Sequence, residues 1–172
     1  TTPENPNPEP LQAIANLRLR QNRRDDAATY MQRTMQVLRS YGEEDEKPNG
    51  AFRTVTAKLL IELKQYDDAV EVLDALLEED EDDPQLHYLL GTCYFDAPDH
   101  DYPLALEAFE KSLSLLVKMP RVDDRILQDV EERIQATKDA IQNEPPPTSE
   151  PQPMEDGDDD DEDQDDEDEA MQ

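Results

Sequence analysis

Four side chains of matched size recur in this chain at a spacing of 36 residues: Tyr66 and Tyr102, Ala69 and Ala105, Leu73 and Phe109, Pro84 and Pro120. A unit of that length cannot bury its apolar face alone, so the repeat confines the fold to a stack of such units. Each position has its own physical part. The alanine is small so that the second helix of a hairpin can press against the first. The larger residue one turn later fills the gap between repeats, and the proline punctuates the exit. A further unit is expected from Asp25-Asp26-Ala27 with Met31, which parallels Asp67-Asp68-Ala69 with Leu73 at a spacing of 42. The loop over 41–50, rich in acids, proline and glycine, absorbs the surplus.

Apolar periodicity and turn residues predict helices over 11–22, 25–41, 51–64, 67–79, 85–95, 102–117 and 123–142. The last carries Ile126, Val130, Ile134 and Ile141 between charges, and would cover the exposed apolar face of the third hairpin as a solenoid cap does. About three hairpins and a capping helix give an all-α, right-handed solenoid whose concave face is lined by the first helix of each pair. Residues 1–10, with prolines at 3, 6, 8 and 10, are expected to form a flexible N-terminus, and Pro145-Pro146-Pro147 to stop the last helix. The repeat domain is then 11–143, followed over 144–172 by a disordered tail in which proline and acids leave no apolar surface to pack.

The chain holds 45 acidic and 16 basic residues, a formal charge of −29. No Lys or Arg lies beyond Asn143, yet the 16 bases still leave residues 1–143 at −14. Binding to a phosphate backbone needs cations that release counterions, so nucleic acid is excluded as a direct partner and a basic protein is the natural one. The densest acid lies in Glu155, Asp156, Asp158, Asp159, Asp160, Asp161, Glu162, Asp163, Asp165, Asp166, Glu167, Asp168 and Glu169. This block can serve as a solubilising tail, as a weak chelator of divalent cations, or as a screen for a basic client. Gly157 is misplaced for a helix–loop–helix calcium site, and the acidic body independently supports the client. The single cysteine, Cys93, allows no intramolecular disulfide and points to a reducing compartment. No apolar run reaches the ~20 residues that span a bilayer, and no charged-then-apolar leader opens the chain. The chain starts on Thr1 without an initiator Met, so a processed product or a piece of a longer protein is expected.

Nothing in the sequence reads as catalytic, and no metal or cofactor site is expected. Cys93 stands two residues after Gly91, where a small packing thiol is wanted. His87 and His100 are thirteen residues apart with no second Cys beside them, which suits structural roles better than a metal. Arg18, Arg20, Arg23 and Arg24 cluster at the end of the first helix, where cations complement its dipole.

Leu90-Gly91-Thr92-Cys93-Tyr94, with Ala105, Phe109 and Pro120, resembles the tetratricopeptide pattern L-G-x-x-Y…A-x-x-x-F…P. The fourteen residues from Gly91 to Ala105 exceed the family's usual twelve, so the turn over 96–101 is expected to hold a two-residue insertion. In the preceding repeat Ala57, Leu60, Ala69 and Leu73 take the same places. By the family's spacing, Thr54, Lys58, Ile61 and Glu62 would line the groove in the second repeat, and Gln85, Tyr88, Thr92, Phe95 and Asp96 in the third. Aromatic rings flanked by acids suit an extended segment rich in Lys and Arg, although Phe95 could equally pack on the neighbouring repeat. One subgroup of the family holds a heat-shock chaperone's C-terminal carboxylate with a Lys/Asn/Arg clamp. At the matching positions this chain has Gln12, Asn16, Val55, Gln85 and Leu89, of which Asn16 alone fits. Hairpins joined to a long acidic tail are more similar to the fungal dedicated assembly chaperones of the fourth large-subunit ribosomal protein. That resemblance implies a monomeric, cytoplasmic and nuclear protein that holds one newly made basic ribosomal protein and delivers it to nascent large subunits. The rival class is a generic scaffold or co-chaperone adaptor.

Overall fold

The expected helices are the ones that form, each within two residues of its sequence-based bounds. The computed structural model describes residues 7–42 and 45–144. Among them run α1 (Glu9–Arg20), α2 (Arg24–Ser40), α3 (Gly50–Glu62), α4 (Tyr66–Glu79), α5 (Pro84–Asp96), α6 (Tyr102–Leu116) and α7 (Asp124–Asn143). Short polar residues set most of the starts. Asn49, Asp83, Asp101 and Asp123 each accept a backbone N–H of the following first turn, satisfying a donor the helix itself leaves free. Helix α1 begins earlier than expected. Pro10 sits in its first turn, where a missing N–H is harmless, and Pro8 ahead of it is buried.

The spacing of 42 is structural. Asn22 and Lys64, also 42 apart, both take positive φ, 57° and 63°. After each, the chain closes the same C-cap: Arg23 N–H donates to the Arg18 carbonyl at 2.9 Å and Gln65 N–H to the Leu60 carbonyl at 2.8 Å. Ala27 and Met31 on α2 are fully buried, as are Ala69 and Leu73 on α4. The first two hairpins are thus the same unit. A left-handed conformation is costly for a residue with a Cβ and free for glycine. Lys64→Gly is therefore expected to stabilise the protein by about 0.5–1 kcal/mol, measurable as a higher urea midpoint. A lower midpoint would show that the lysine side chain contributes more than the backbone strain costs.

Helices α1 and α2, α3 and α4, and α5 and α6 pack as pairs, and α7 packs on α6. One buried cluster joins Ala15, Met31, Met35, Leu60, Leu73 and Leu86, so it runs through the first two hairpins into α5. A second centres on Ala105, Phe109, Leu116, Val130 and Ile134 and binds α7 to the third hairpin. Polar bonds pin the neighbours. Gln12 Nε2 of α1 donates to the Phe52 carbonyl (3.0 Å) and Thr56 Oγ1 (2.6 Å) of α3. Arg39 of α2 reaches Asp68 and Glu71 of α4. Arg53, nearly buried, forks onto Glu79 at 2.7 and 2.9 Å and holds that carboxyl below its usual range.

Three expectations need correcting. Pro84 and Pro120 are not equivalent: Pro84 opens α5 directly after its Asp83 cap, whereas Pro120 lies in the linker ahead of the Asp123 cap of α7. Only Arg18 and Arg20 occupy the last turn of α1. Arg23 and Arg24 lie at the start of α2, where they pair with Asp26 and with the Glu62 carbonyl instead of complementing a C-terminal dipole. On α7, Val130 and Ile134 are buried with Thr137, but Ile126 and Ile141 remain exposed. The acidic block and the rest of the expected tail from Pro145 onward lie outside the described residues.

Candidate protein-binding face

The face proposed for binding is built by the first helices α1, α3 and α5. On α3, Lys58 and Glu62 are exposed, Thr54 is half-buried with its hydroxyl donating to the Gly50 carbonyl, and Ile61 packs against the first core cluster. On α5, Gln85 and Asp96 are exposed, whereas Thr92 is buried and donates to the Tyr88 carbonyl. Lys58, Glu62, Gln85 and Asp96 therefore present charge and amide to solvent. The two threonines satisfy their own helices.

The aromatic members are arranged in a way their spacing did not reveal. Tyr88 stacks obliquely on Phe109, ring centres 5.6 Å apart, and its hydroxyl donates to Asp129 Oδ2 of α7 at 2.5 Å. Burial and the Asp129 partner both push the Tyr88 hydroxyl pKa up, while the charge and side-chain hydrogen bonding of Arg133 oppose them. Phe95 rests on Tyr102 (5.4 Å, tilted), and the Arg133 guanidinium lies 5.8 Å from its ring centre. Arg133 Nη1 also stands 3.9 Å from Asp96 Oδ1. Asp129 and Arg133, one turn apart on α7, thus face the aromatic pair of α5. Neither was legible as a site residue, because each reads in isolation as part of a charged solvent face.

The remaining singled-out residues have structural partners. Cys93 is buried, which pushes its thiol up to about 12 and away from thiolate chemistry. His87 Nε2 sits 2.8 Å from the Glu81 carbonyl, and His100 stacks on Tyr102 at 4.1 Å. Among the described residues, no group of three or more His, Cys, Asp or Glu could hold a metal, and no helix is long and apolar enough to cross a membrane.

Consecutive antiparallel hairpins, a buried small residue on each first helix (Ala15, Ala57, Gly91) and a face of successive first helices define a tetratricopeptide-type solenoid. This is the architecture of a protein-binding module. The Tetratricopeptide repeat family profile matches residues 19–93. The chain is related to two fungal proteins named "Probable assembly chaperone of rpl4". The one from Emericella nidulans is 34% identical over 87 residues, 50% of this chain and 23% of that protein. The one from Schizosaccharomyces pombe is 33% identical over 94 residues, 53% of this chain and 28% of that protein. The matched stretch is therefore only about a quarter of those relatives' length. PcrH from Pseudomonas aeruginosa superposes with a TM-score of 0.55 over 76% of this chain and 91% of its own, at 14% identity, which is a likeness of fold alone.

Proposed function

We propose that this chain is the client-holding part of a dedicated assembly chaperone, which shields a newly made basic ribosomal protein and escorts it to large-subunit assembly. Cytoplasm and nucleus would be its places of work, and a monomer its working form. The observation that carries the reading is the relation to the two rpl4 assembly chaperones, each at about one-third identity over half of the chain. Charge supports it independently. A protein of net charge −29 attracts a cationic client over a long range and repels its own copies.

The chemistry divides between two regions. Exposed Glu62 of α3 and Asp96 of α5, together with the rings of Tyr88 and Phe95, offer ion-pair and cation–π contacts to Lys and Arg. The acidic block from Glu155 to Glu169 adds a dense field of carboxylates. Purified rpl4 mixed with the chain at physiological salt is expected to stay soluble and to elute as a stoichiometric complex. Precipitation of rpl4 at the same rate with and without the chain, leaving the chain free in the supernatant, would overturn the proposal.

A further inference from the structure

The aromatic part of the face described above already holds a cation, and that cation belongs to the chain itself. Arg133 lies over the Phe95 ring at 5.8 Å and 3.9 Å from Asp96, with about a third of its side chain exposed. Phe95 is backed by Tyr102, and Tyr102 in turn by His100, so the ring is a fixed platform. We propose that Phe95 and Asp96 form a guanidinium subsite which Arg133 fills in cis, and from which an arginine of a basic client segment displaces it. The proposal rests on the chaperone reading above and names one contact within it.

Three features favour exchange over a permanent latch. The ion pair is long and about one-third open to water, the kind that contributes little to stability. Helix α7 does not depend on it: Val130, Ile134 and Thr137 are buried, and the Tyr88–Asp129 bond ties α7 to α5 one turn earlier. Arg133 can therefore swing out by side-chain rotation while the helix stays seated. Finally, a planar guanidinium both stacks on an aromatic face and pairs with a carboxylate, which an ammonium does less well, so the subsite should favour arginine over lysine. The same contact gives selectivity, since a weakly basic segment gains too little to displace the resident side chain.

The test is a nuclear magnetic resonance titration of the full chain with a tri-arginine peptide, read site by site so that binding to the acidic block does not interfere. In the wild type, the Phe95 and Asp96 amides should shift, and the Arg133 side-chain Nε–H should move to its solvent-exposed position with the same midpoint. Arg133→Gln should tighten the midpoint at Phe95 and Asp96 about three-fold relative to Arg121→Gln, which makes the same charge change on the α6–α7 linker. Tri-lysine should bind there more weakly than tri-arginine. Equal midpoints in the two variants, or an Arg133 resonance that stays fixed while Phe95 and Asp96 shift, would overturn the subsite. The wild-type arm needs no variant, so the test stands even if Arg133→Gln loosens α7. If rpl4 is held soluble with no shift at Phe95 and Asp96, the subsite is wrong and the chaperone reading survives. Exchange at the subsite without solubilisation supports the subsite and sinks the chaperone reading alone.

Discussion

Gly91→Leu is expected to destabilise the domain by about 3 kcal/mol, enough to leave a marginal solenoid largely unfolded at 37 °C. The cause is local and steric. A Cβ built on Gly91 would stand 2.8 Å from two ring carbons of Phe109 and 3.0 Å from a third, closer than such atoms approach. Phe109 cannot yield cheaply, because it is fully buried, and Tyr88 stacks on it while Val130 and Ile134 join it in the same cluster. Even Gly91→Ala sets an overpacking cost of ~1–3 kcal/mol against a helix-propensity gain of ~1 kcal/mol, so it should be neutral to destabilising where an exposed glycine would improve. Shrinking the neighbour supplies the check. Phe109→Leu should cost less in the Gly91→Ala background than alone, because the methyl then fills space the ring has vacated. Urea denaturation of the four proteins in that cycle measures the coupling. Strict additivity would mean that Gly91 and Phe109 do not share the contact.

That contact was legible in part. The sequence places a small residue at Gly91 and a large one at Phe109, where the preceding repeat has Ala57 and Leu73, and the pairing of the two helices follows from the short turn between them. Helix bounds were equally legible, since caps such as Asp83 and Asp123 and the breaks at proline are local signals. What failed was the inference from local likeness to tertiary equivalence at the prolines. Pro120 matches Pro84 in the repeat, yet the linker after α6 is longer and Asp123 sets the next start. The same limit hid the partners of the aromatic residues. Phe95 was open to either a groove or a packing role from spacing alone. Its contact with Tyr102 forms within the α5–α6 hairpin, whereas that with Arg133 depends on how α7 docks, which is decided by Val130 and Ile134 burying against the third hairpin. Asp129 and Arg133 are then carried to α5 by helical geometry, and a polar pair one turn apart carries no sequence signal of where it points.

Under the chaperone proposal, groove and acidic block should contribute to client binding at different steps. Deleting residues 144–172 removes Glu144, Glu150 and the dense carboxylates of Glu155–Glu169 without touching any first-helix residue. Long-range attraction acts on encounter, so the association rate with a basic client should fall about ten-fold or more at low salt. The difference should shrink as salt rises, because the Debye length is only ~8 Å at physiological ionic strength. Dissociation should change little. Replacing Tyr88 and Phe95 together with Ala removes short-range anchors and should instead speed dissociation, by about 30-fold if the pair contributes ~2 kcal/mol. Tyr88 also stacks on Phe109 and bonds Asp129, so the variant's melt belongs beside its kinetics, with the comparison made well below its transition. Because the two changes act on separate steps, their combined effect on affinity should be close to the product of the single effects. Stopped-flow measurements with rpl4 at several salt concentrations decide the matter. An association rate that is unchanged at low salt after the deletion would remove the electrostatic role and leave the acidic block as a solubiliser. An unchanged dissociation rate in the Tyr88/Phe95 variant would move the client off the face of α5 altogether.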